Sequence, residues 1–364
     1  MQELALPERA LRKREILEPE IVDTLSVAYD LGDWLEWRRT PKGRTNVSFY
    51  LTTQSGRYVL RRSTARKSLA GLEFELRLVD FLRERGYPAP EVVPTRAGTR
   101  HVEHDDSFYL LTVFISGTPC DPEDPAHLLA SARGLGLYHR LVRDLPGPYY
   151  TRPAPDPSAL EPERFRQFSA IHSVAEQFLT ADEQSSLRDA FSFLRCELSA
   201  VAEELAGALP GLSRMFIHGS FGRSALLFDG DALAAVLDYD RAGYELRCTD
   251  LAYTTKAFCR IYDEDQDDYR IGLDMARYRN FIAAYQELER LPRADAEALP
   301  LVSRSQRLRK VLTKSGNFLR KHAAEPQEEK DLRKLASILE REALRLRWLK
   351  EHADELLDAS TRRG

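Results

Sequence analysis

Residues 215–253 constrain the fold of this chain more than any other stretch. A short apolar run, Met-Phe-Ile, leads into the polar loop 218–224, and a second apolar run follows at 226–228. Asp-Gly at 229–230 then precedes a third apolar run, which is a strong signal for a tight β-hairpin. The pattern predicts that a polar loop and a strand end lie side by side. Four polar side chains fall at that edge: His218, Ser220, Asp238 and Asp240.

These residues resemble the catalytic core of the aminoglycoside phosphotransferase and choline kinase family, which includes type II homoserine kinases and spore-coat kinase-like proteins. The family loop reads His-Gly-Asp with an Asn five residues later, then a hairpin, Ile-Asp-Phe/Tyr and Asp-Leu-Ala. The spacing matches, but Ser220 stands where the family has its catalytic Asp, and Ala225 where it has a metal-binding Asn. The resemblance implies an α+β, bilobal protein-kinase-like fold with a small antiparallel-sheet N-lobe and a larger, mostly helical C-lobe.

The predicted domains follow from this resemblance and from local patterning. Two β-rich runs, 47–53 and 57–62, flank a short turn, and helix-spaced leucines recur from about residue 328 onward. Ser-Gly-Thr-Pro after residue 115 matches the family's hinge. We therefore expect three parts: an N-terminal arm and helix (1–30), an N-lobe with the nucleotide-binding sheet and helix (31–115), and a helical C-lobe (116–364) that contains the catalytic-loop region 215–253 and a long C-terminal helix.

Composition excludes several classes of function. The net charge of −4 argues against general nucleic-acid binding, and four scattered cysteines lack the spacing of a metal site. The N-terminus lacks the apolar core of a signal peptide, and no apolar run approaches the length that spans a membrane. The sequence therefore predicts a cytoplasmic protein with no membrane and no nucleic-acid partner.

The resemblance implies ATP and Mg²⁺ as cofactors and suggests which residues contact the nucleotide. Gly43 and Asn46 lie in a turn that would cover the phosphates, although an ordinary turn has the same composition. Arg61 occupies the position of the family's phosphate-gripping cation. Glu75 would be its ion-pair partner; the alternatives are a plain exposed helix glutamate or a substitute role for Glu73.

Further roles follow from the same resemblance. Backbone groups near Thr112 and Phe114 would meet an adenine edge, and Asp238 would bind metal. Asp250 would brace the catalytic loop, unless it simply caps a helix N-terminus. His218 would brace the loop by hydrogen bonding.

The two substitutions weaken the catalytic loop. Ser220 cannot act as a carboxylate base at neutral pH, and general-base catalysis is typically worth roughly 10²–10⁴-fold. Ala225 offers no oxygen ligand to a hard Mg²⁺ ion. Asp240 shares a face with Asp238 if this segment is extended, so it is a possible second metal ligand or displaced base. The alternative is a loop residue ordered by Arg241.

Two hypotheses about function remain open from the sequence. The first is a pseudokinase-like protein that binds a nucleotide or a partner; the second is an atypical, active ATP-dependent phosphotransferase. Its acceptor would be a hydroxyl of a small metabolite or of a peptide in a biosynthetic pathway. The basic stretch 303–322 either grips an anion or forms a helix face paired with the acidic tail. The sequence does not indicate an oligomeric state.

Overall fold

The computed structural model describes residues 17–41, 46–63, 68–147, 180–263, 268–325 and 329–361. The chain divides into two compact units. The sheet unit holds the described residues as far as Pro119, with 144–147 and Leu226–Asp240. The helical unit holds Cys120–Arg143 and the described residues from 180 to Ala225 and from Arg241 onward. The predicted boundaries at residues 30 and 115 stay a prediction, because compactness alone does not establish independent folding.

The sheet unit is an antiparallel sheet with two helices and a separate hairpin. Its elements are α1 (Pro19–Ala28), β1 (Trp34–Arg39), β2 (Val47–Thr53), β3 (Gly56–Ser63), α2 (Leu69–Arg83), β4 (Val92–Val93), β5 (Val102–His104), β6 (Ser107–Val113), β7 (Thr118–Pro119), β9 (Leu226–Asp229) and β10 (Ala232–Val236). The main sheet has the order β1-β2-β3-β6-β4, and β5 also pairs with β6. Alternate residues of β2 are buried, as the period of two along a strand requires.

Helix α2 and the β9–β10 hairpin both form where local sequence signals indicate them. Ser68 caps α2 by accepting a hydrogen bond from the backbone N–H of Gly71. The predicted Asp-Gly hairpin is confirmed: β9 and β10 pair antiparallel around Gly230, whose φ of +54° favours glycine. The backbone N–H of Val236, the last residue of β10, donates to Pro88 at 2.7 Å. The segment after β10 is therefore held to the sheet unit.

The helical unit contains seven helices and two short strand pairs within the described ranges. Its elements are α3 (Pro125–Val142), α4 (Ala181–Ala208), β8 (Arg214–Ile217), β11 (Gly243–Leu246), α5 (Arg247–Cys259), β12 (Arg260–Asp263), β13 (Asp268–Leu273), α6 (Met275–Gln286), α7 (Arg293–Ala324), α8 (Glu329–Glu351) and α9 (Ala353–Thr361). Leucines of α4, α7 and α8 form one continuous core. In the described part of the chain, no helix is both long and apolar enough to span a membrane.

One feature of this unit differs from the sequence pattern. A helix over 251–262 is predicted, but α5 ends at Cys259 and a β12–β13 hairpin follows. A predicted helix at 162–178 lies outside the described residues. The basic stretch on α7 pairs with acids, since Lys310 contacts Glu342 of the tail at 2.6 Å and Arg304 contacts Glu197 of α4 at 2.5 Å.

Candidate active site

The polar loop of the helical unit begins where β8 ends. β11 pairs with β8 and places Gly243 opposite Ile217, so the chain turns sharply at 218–220. Gly219 has a φ of +76°, and a Cβ atom there would lie 2.4 Å from the carbonyl oxygen of Arg241. Only glycine fits this close approach without a backbone shift. We call residues 218–220 the catalytic turn.

A buried carboxylate holds the catalytic turn in place. Asp250 Oδ2 accepts a hydrogen bond from the His218 backbone N–H at 2.8 Å, and Oδ1 accepts from the Gly219 N–H at 3.0 Å. His139 Nε2 lies 3.2 Å from Oδ2, and its Nδ1 lies 2.8 Å from the Tyr285 hydroxyl. Asp250 lies in the first turn of α5, where Leu246 is the N-cap residue, so bracing and not capping describes its contacts.

Hydrogen bonding keeps Asp250 ionised despite its burial. Desolvation alone would raise the pKa of this fully buried carboxyl. The hydrogen bond and positive charge of His139, together with His218, overcome that effect and hold the pKa of Asp250 below its usual value. The turn is therefore fixed by a charged acceptor, which makes stronger hydrogen bonds than a neutral one.

The catalytic turn presents no carboxylate of its own. Ser220 is 7% exposed, its backbone N–H donates to His218 Nδ1 at 3.3 Å, and its hydroxyl lies 3.4 Å from the same nitrogen. Ala225 is buried in a single 3₁₀ turn, and its methyl group cannot ligate a metal. Arg223 Nε donates to the carbonyl oxygen of Ala257, so that arginine fastens the loop to α5.

An ion pair joins the third strand of the sheet unit to its helix. Arg61 on β3 and Glu75 on α2 approach to 2.5 Å, with side chains 15% and 7% exposed. Glu75 is therefore not the plain exposed glutamate that one alternative predicted. Burial lowers the pKa of the Arg61 guanidinium, and the carboxylates of Asp240 and Asp238 oppose that shift. These two carboxylates thus lie within electrostatic reach of Arg61.

The segment after β10 presents the two carboxylates in different environments. Asp238 is exposed and has a φ of +69°, a conformation that is uncommon outside glycine and often marks a functional site. Asp240 Oδ2 accepts a hydrogen bond from Asn46 Nδ2 at 3.1 Å. Asp240 Oδ1 is buried and has no hydrogen-bond partner among the described residues. A buried carboxylate oxygen of this kind calls for a cation or a donor, and the described residues supply neither.

The remaining predicted nucleotide contacts are placed only in part. Gly43 lies outside the described residues, so the structure says nothing of it. The backbone N–H groups of Val113 and Phe114 donate to Glu91 and Arg57 within the sheet. The Thr112 hydroxyl donates a hydrogen bond to the carbonyl oxygen of Val59 at 3.4 Å. An adenine edge would therefore find its backbone donor after Phe114, while the expected role of this stretch stays a prediction.

The predicted residues thus fall into two sets. Within the sheet unit the structure brings together Asn46, Arg61, Glu75, Asp238 and Asp240. Within the helical unit it brings together His218, Ser220 and Asp250.

Residues that sequence reasoning missed belong to the second set. The sequence does not point to Tyr285 and indicates only a packing role for His139, yet both contact the carboxylate network. No sequence signal links them to the turn, because His139 and Tyr285 are 146 positions apart.

The donor set of the sheet unit fits a hard divalent ion. No group of three or more His, Cys, Asp or Glu side chains forms a metal site within the described ranges. Mg²⁺, however, is commonly held by one or two carboxylates plus substrate phosphates and water. Asp238 and the unsatisfied oxygen of Asp240 supply that number of ligands.

Comparison with known proteins gives a consistent result. The profile of the "Phosphotransferase enzyme family" matches residues 36–281, which is more than half of the chain. A homoserine kinase of Bradyrhizobium diazoefficiens is 28% identical over 307 residues, covering 84% of this chain and 86% of that protein. A homoserine kinase of Methylobacterium sp. (strain 4-46) is 26% identical over 291 residues, covering 80% and 83%.

Solved structures support the fold. A microcompartment-associated aminopropanol kinase superposes with a TM-score of 0.64 at 18% identity, covering 95% of this chain and 99% of that chain. An aminoglycoside phosphotransferase from Alicyclobacillus acidocaldarius also gives 0.64, at 16% identity and 93% and 97% coverage. The amicoumacin kinase hAmiN, solved with AMP-PNP and Ca²⁺, gives 0.61 at 14% identity, covering 93% and 96%. The predicted α+β kinase-like fold, with a sheet-rich N-terminal part and a helical C-terminal part, is confirmed.

Proposed function

The chain belongs to the aminoglycoside phosphotransferase and choline kinase family, and on that premise we propose that it is an atypical ATP-dependent phosphotransferase. Its acceptor would be a hydroxyl group of a small molecule. The observation that carries the proposal is the charge set of the sheet unit: one buried guanidinium paired with Glu75, and two further carboxylates within its electrostatic reach. Three carboxylates around one cation leave excess negative charge, which a divalent ion would balance.

The nucleotide would be held by the sheet unit. Arg61 is oriented by Glu75, so its guanidinium is fixed before phosphate arrives and little side-chain entropy is lost on binding. Asp238 and Asp240 would hold Mg²⁺, which neutralises phosphate charge during transfer. Asn46 donates to Asp240 and orients that carboxylate. ATP and Mg²⁺ are the expected cofactors.

The helical unit would handle the acceptor without a carboxylate base. Phosphoryl transfer in most analyses passes through a loose transition state, in which positioning and charge neutralisation matter more than proton removal. Ser220 offers a hydroxyl that can hydrogen-bond to an acceptor but cannot take its proton at neutral pH. The loss of general-base assistance predicts a rate roughly 10²–10⁴-fold below that of a carboxylate-bearing loop. We therefore propose slow turnover rather than none.

The acceptor class is suggested by the relatives. They are named for homoserine and aminopropanol, which both carry a hydroxyl and an amine. We propose an acceptor of this amino-alcohol type. A hydroxyl group of a peptide is the alternative acceptor under the same hypothesis.

The second candidate function is a pseudokinase that binds a nucleotide or a partner protein. The pair of substitutions at Ser220 and Ala225 favours it, because together they remove the base and one metal ligand. The first candidate predicts both nucleotide binding and transfer. The second predicts no transfer, and it requires no nucleotide if it acts by binding a partner protein.

The test begins with thermal denaturation of the full chain with ATP and Mg²⁺, with ATP and EDTA, and without ligand. A ligand that binds only the folded state raises Tm, and at one hundred times Kd the gain is about 2.7 kcal/mol. We expect a rise with MgATP that is smaller with EDTA. No rise at millimolar MgATP would refute the phosphotransferase and would leave the pseudokinase only as a partner-binding protein. Phosphate transfer to homoserine or aminopropanol above the no-enzyme rate would then support the enzyme, and nucleotide binding without transfer to any amino alcohol would support the pseudokinase.

A further inference from the structure

A small cavity in the helical unit lies away from the catalytic turn. It opens between α5, β13, α7 and α8, and the polar and aromatic residues of its wall include Thr255, Lys256, Gln306, Arg307, Arg345 and Trp348. The other side of α5 faces the catalytic loop: a Cβ atom on Gly222 would lie 3.4 Å from Tyr253 and 3.8 Å from Ala257. The cavity and the catalytic loop therefore use different faces of the same helix.

Within the described part of the chain, the wall of this cavity carries three cations and no carboxylate: Lys256, Arg307 and Arg345. Glu342 is buried and serves three cations at once: Arg307 at 3.2 Å, Lys310 at 2.6 Å and Arg345 at 3.0 Å. Lys256 adds a fourth cation. Among the described residues no carboxylate lies within ion-pair distance of Lys256, and its ammonium contacts only the Tyr253 ring, 5.0 Å from the centroid.

Burial and neighbouring like charges both disfavour the charged form of Lys256. Burial lowers the pKa of its ammonium to about 7, and the neighbouring cations Arg307, Arg260 and Lys310 act in the same direction. Glu342 opposes the shift but is already shared among other cations. A group of cations held together at this cost is the arrangement expected where an anion binds.

The cavity wall is shaped by one glycine. A Cβ atom on Gly272 of β13 would lie 2.7 Å from the indole of Trp348, so only glycine lets that ring close the wall. The ring stacks on His352 with centroids 4.2 Å apart, which fixes its orientation. The cavity is therefore bounded by a positioned aromatic ring on one side and by cationic side chains on the other.

We propose that this cavity binds a small oxyanion, a phosphate or carboxylate group, between Lys256, Arg307 and Arg345. The guanidinium groups present planar N–H donors that match such an anion. The side-chain amide of Gln306, which donates one N–H to the carbonyl oxygen of Thr249, has a second N–H to offer. This site does not depend on the proposed function, because it includes neither the residues proposed to bind the nucleotide nor those of the catalytic turn.

The first test is calorimetric titration of inorganic phosphate, and separately of acetate, into the full chain at a pH below 7. We expect Lys256→Met to weaken phosphate association about tenfold or more, as loss of a charge-assisted hydrogen bond implies. Lys334→Met, an exposed charge on α8, is the matched control and should change association less than about twofold. Binding of phosphate alone assigns a phosphate site, and binding of both anions assigns a general oxyanion site. Absence of binding by either anion, or equal binding by Lys256→Met, overturns the proposal.

A second measurement keeps the proposal testable if Lys256→Met does not fold. Reductive ¹³C-dimethylation of the wild-type chain gives an NMR signal for each lysine, and Lys256→Arg identifies the signal of interest. Its pKa without anion should lie well below those of the other lysines. Saturating phosphate should raise that pKa by about one unit, which corresponds to tenfold tighter binding to the charged form. A pKa that phosphate leaves unchanged overturns the proposal.

Discussion

The sheet unit and the helical unit keep different parts of the phosphotransferase machinery. In the sheet unit the charged groups that the resemblance implies for the nucleotide side are present, and Arg61 and Glu75 form a close ion pair. In the helical unit the bracing carboxylate Asp250 is present and fully engaged, but the turn that it braces ends in Ser220. The chain therefore retains the scaffold of the catalytic turn without its acid–base group.

This difference separates two requirements that are usually met together. Holding a charged nucleotide needs fixed charges and a metal, whereas proton removal from an acceptor needs one basic atom at one place. A buried carboxylate such as Asp250 destabilises the fold unless donors satisfy it, so its complete set of partners indicates that the turn is still rigidly built. Substitutions in the sheet unit therefore test nucleotide and metal binding, and substitutions in the helical unit test proton removal and the stability of the turn.

The largest expected effect is a gain of function. Ser220→Asp combined with Ala225→Asn should raise the rate of phosphate transfer to an amino alcohol roughly 10²–10⁴-fold, because a base and a metal ligand return to a rigid turn. A coupled assay for ADP formation measures the rate, and Ser220→Asn with Ala225→Asn restores the polar groups without the base. Equal rates for both double variants would show that a carboxylate at position 220 does not restore proton removal.

Removing the metal-side carboxylate should have the next largest effect. Asp238→Ala should abolish the Mg²⁺ dependence of the MgATP-induced rise in Tm and reduce transfer by at least about 10²-fold, since metal ligation is worth several kcal/mol. Asp231→Ala removes an exposed carboxylate from the neighbouring hairpin and serves as the control. If the rise in Tm of Asp238→Ala still depended on Mg²⁺ as in the wild type, Asp238 would not be a metal ligand.

The sequence was sufficient for the regular elements and for groups that are close along the chain. The predicted strand 47–53 matches β2, because the alternation that indicates a strand is a local signal. The β12–β13 hairpin was missed because the acidic run between its strands lacks apolar alternation. α7 was missed in its first turns, because Pro300 lies inside the helix where proline usually ends one.

The site itself was predictable only where the resemblance supplied the partner. Asp238 and Asp240 are neighbours in sequence, but Asn46 contacts Asp240 from 194 positions away. The unsatisfied oxygen of Asp240 and the ties of Asp250 to His139 depend on how distant segments pack. Such properties belong to the tertiary structure, and no periodicity in the sequence reports them.

The brace of the catalytic turn should contribute to stability more than to nucleotide binding. Asp250→Asn should lower the free energy of unfolding by about 3 kcal/mol, because an amide cannot accept hydrogen bonds at both of its terminal atoms. Urea denaturation measures this, with Asp189→Asn on the exposed face of α4 as the control. A loss equal to that of the control would show that the brace is not stabilising.

The pKa of Asp250 gives this contribution a definite pH dependence. Its folded-state pKa is held below the ordinary value, so the unfolded chain binds the proton more readily. The stabilisation is therefore complete above about pH 4, the ordinary pKa of an aspartate, and falls as the pH drops through the lower folded value. The difference in unfolding free energy between wild type and Asp250→Asn should shrink in that acidic range. A difference that stays constant from neutral pH down to that range would contradict the assignment.

The smallest expected effect concerns the shape of one cation and not its charge. Arg61→Lys keeps the positive charge beside Glu75 but replaces a planar, bidentate donor with a point charge, so we expect MgATP to bind about tenfold more weakly. Arg62→Lys, the same change on the adjacent residue of β3, is the matched control, because neighbouring strand residues face opposite ways. Fluorescence titration with a labelled nucleotide measures both variants. Arg61→Lys could instead bind MgATP like the wild type while Asp238→Ala does not. The sheet unit would then recognise the nucleotide through the proposed metal-binding carboxylates and not through the guanidinium. The ion pair with Glu75 would in that case stabilise the fold alone.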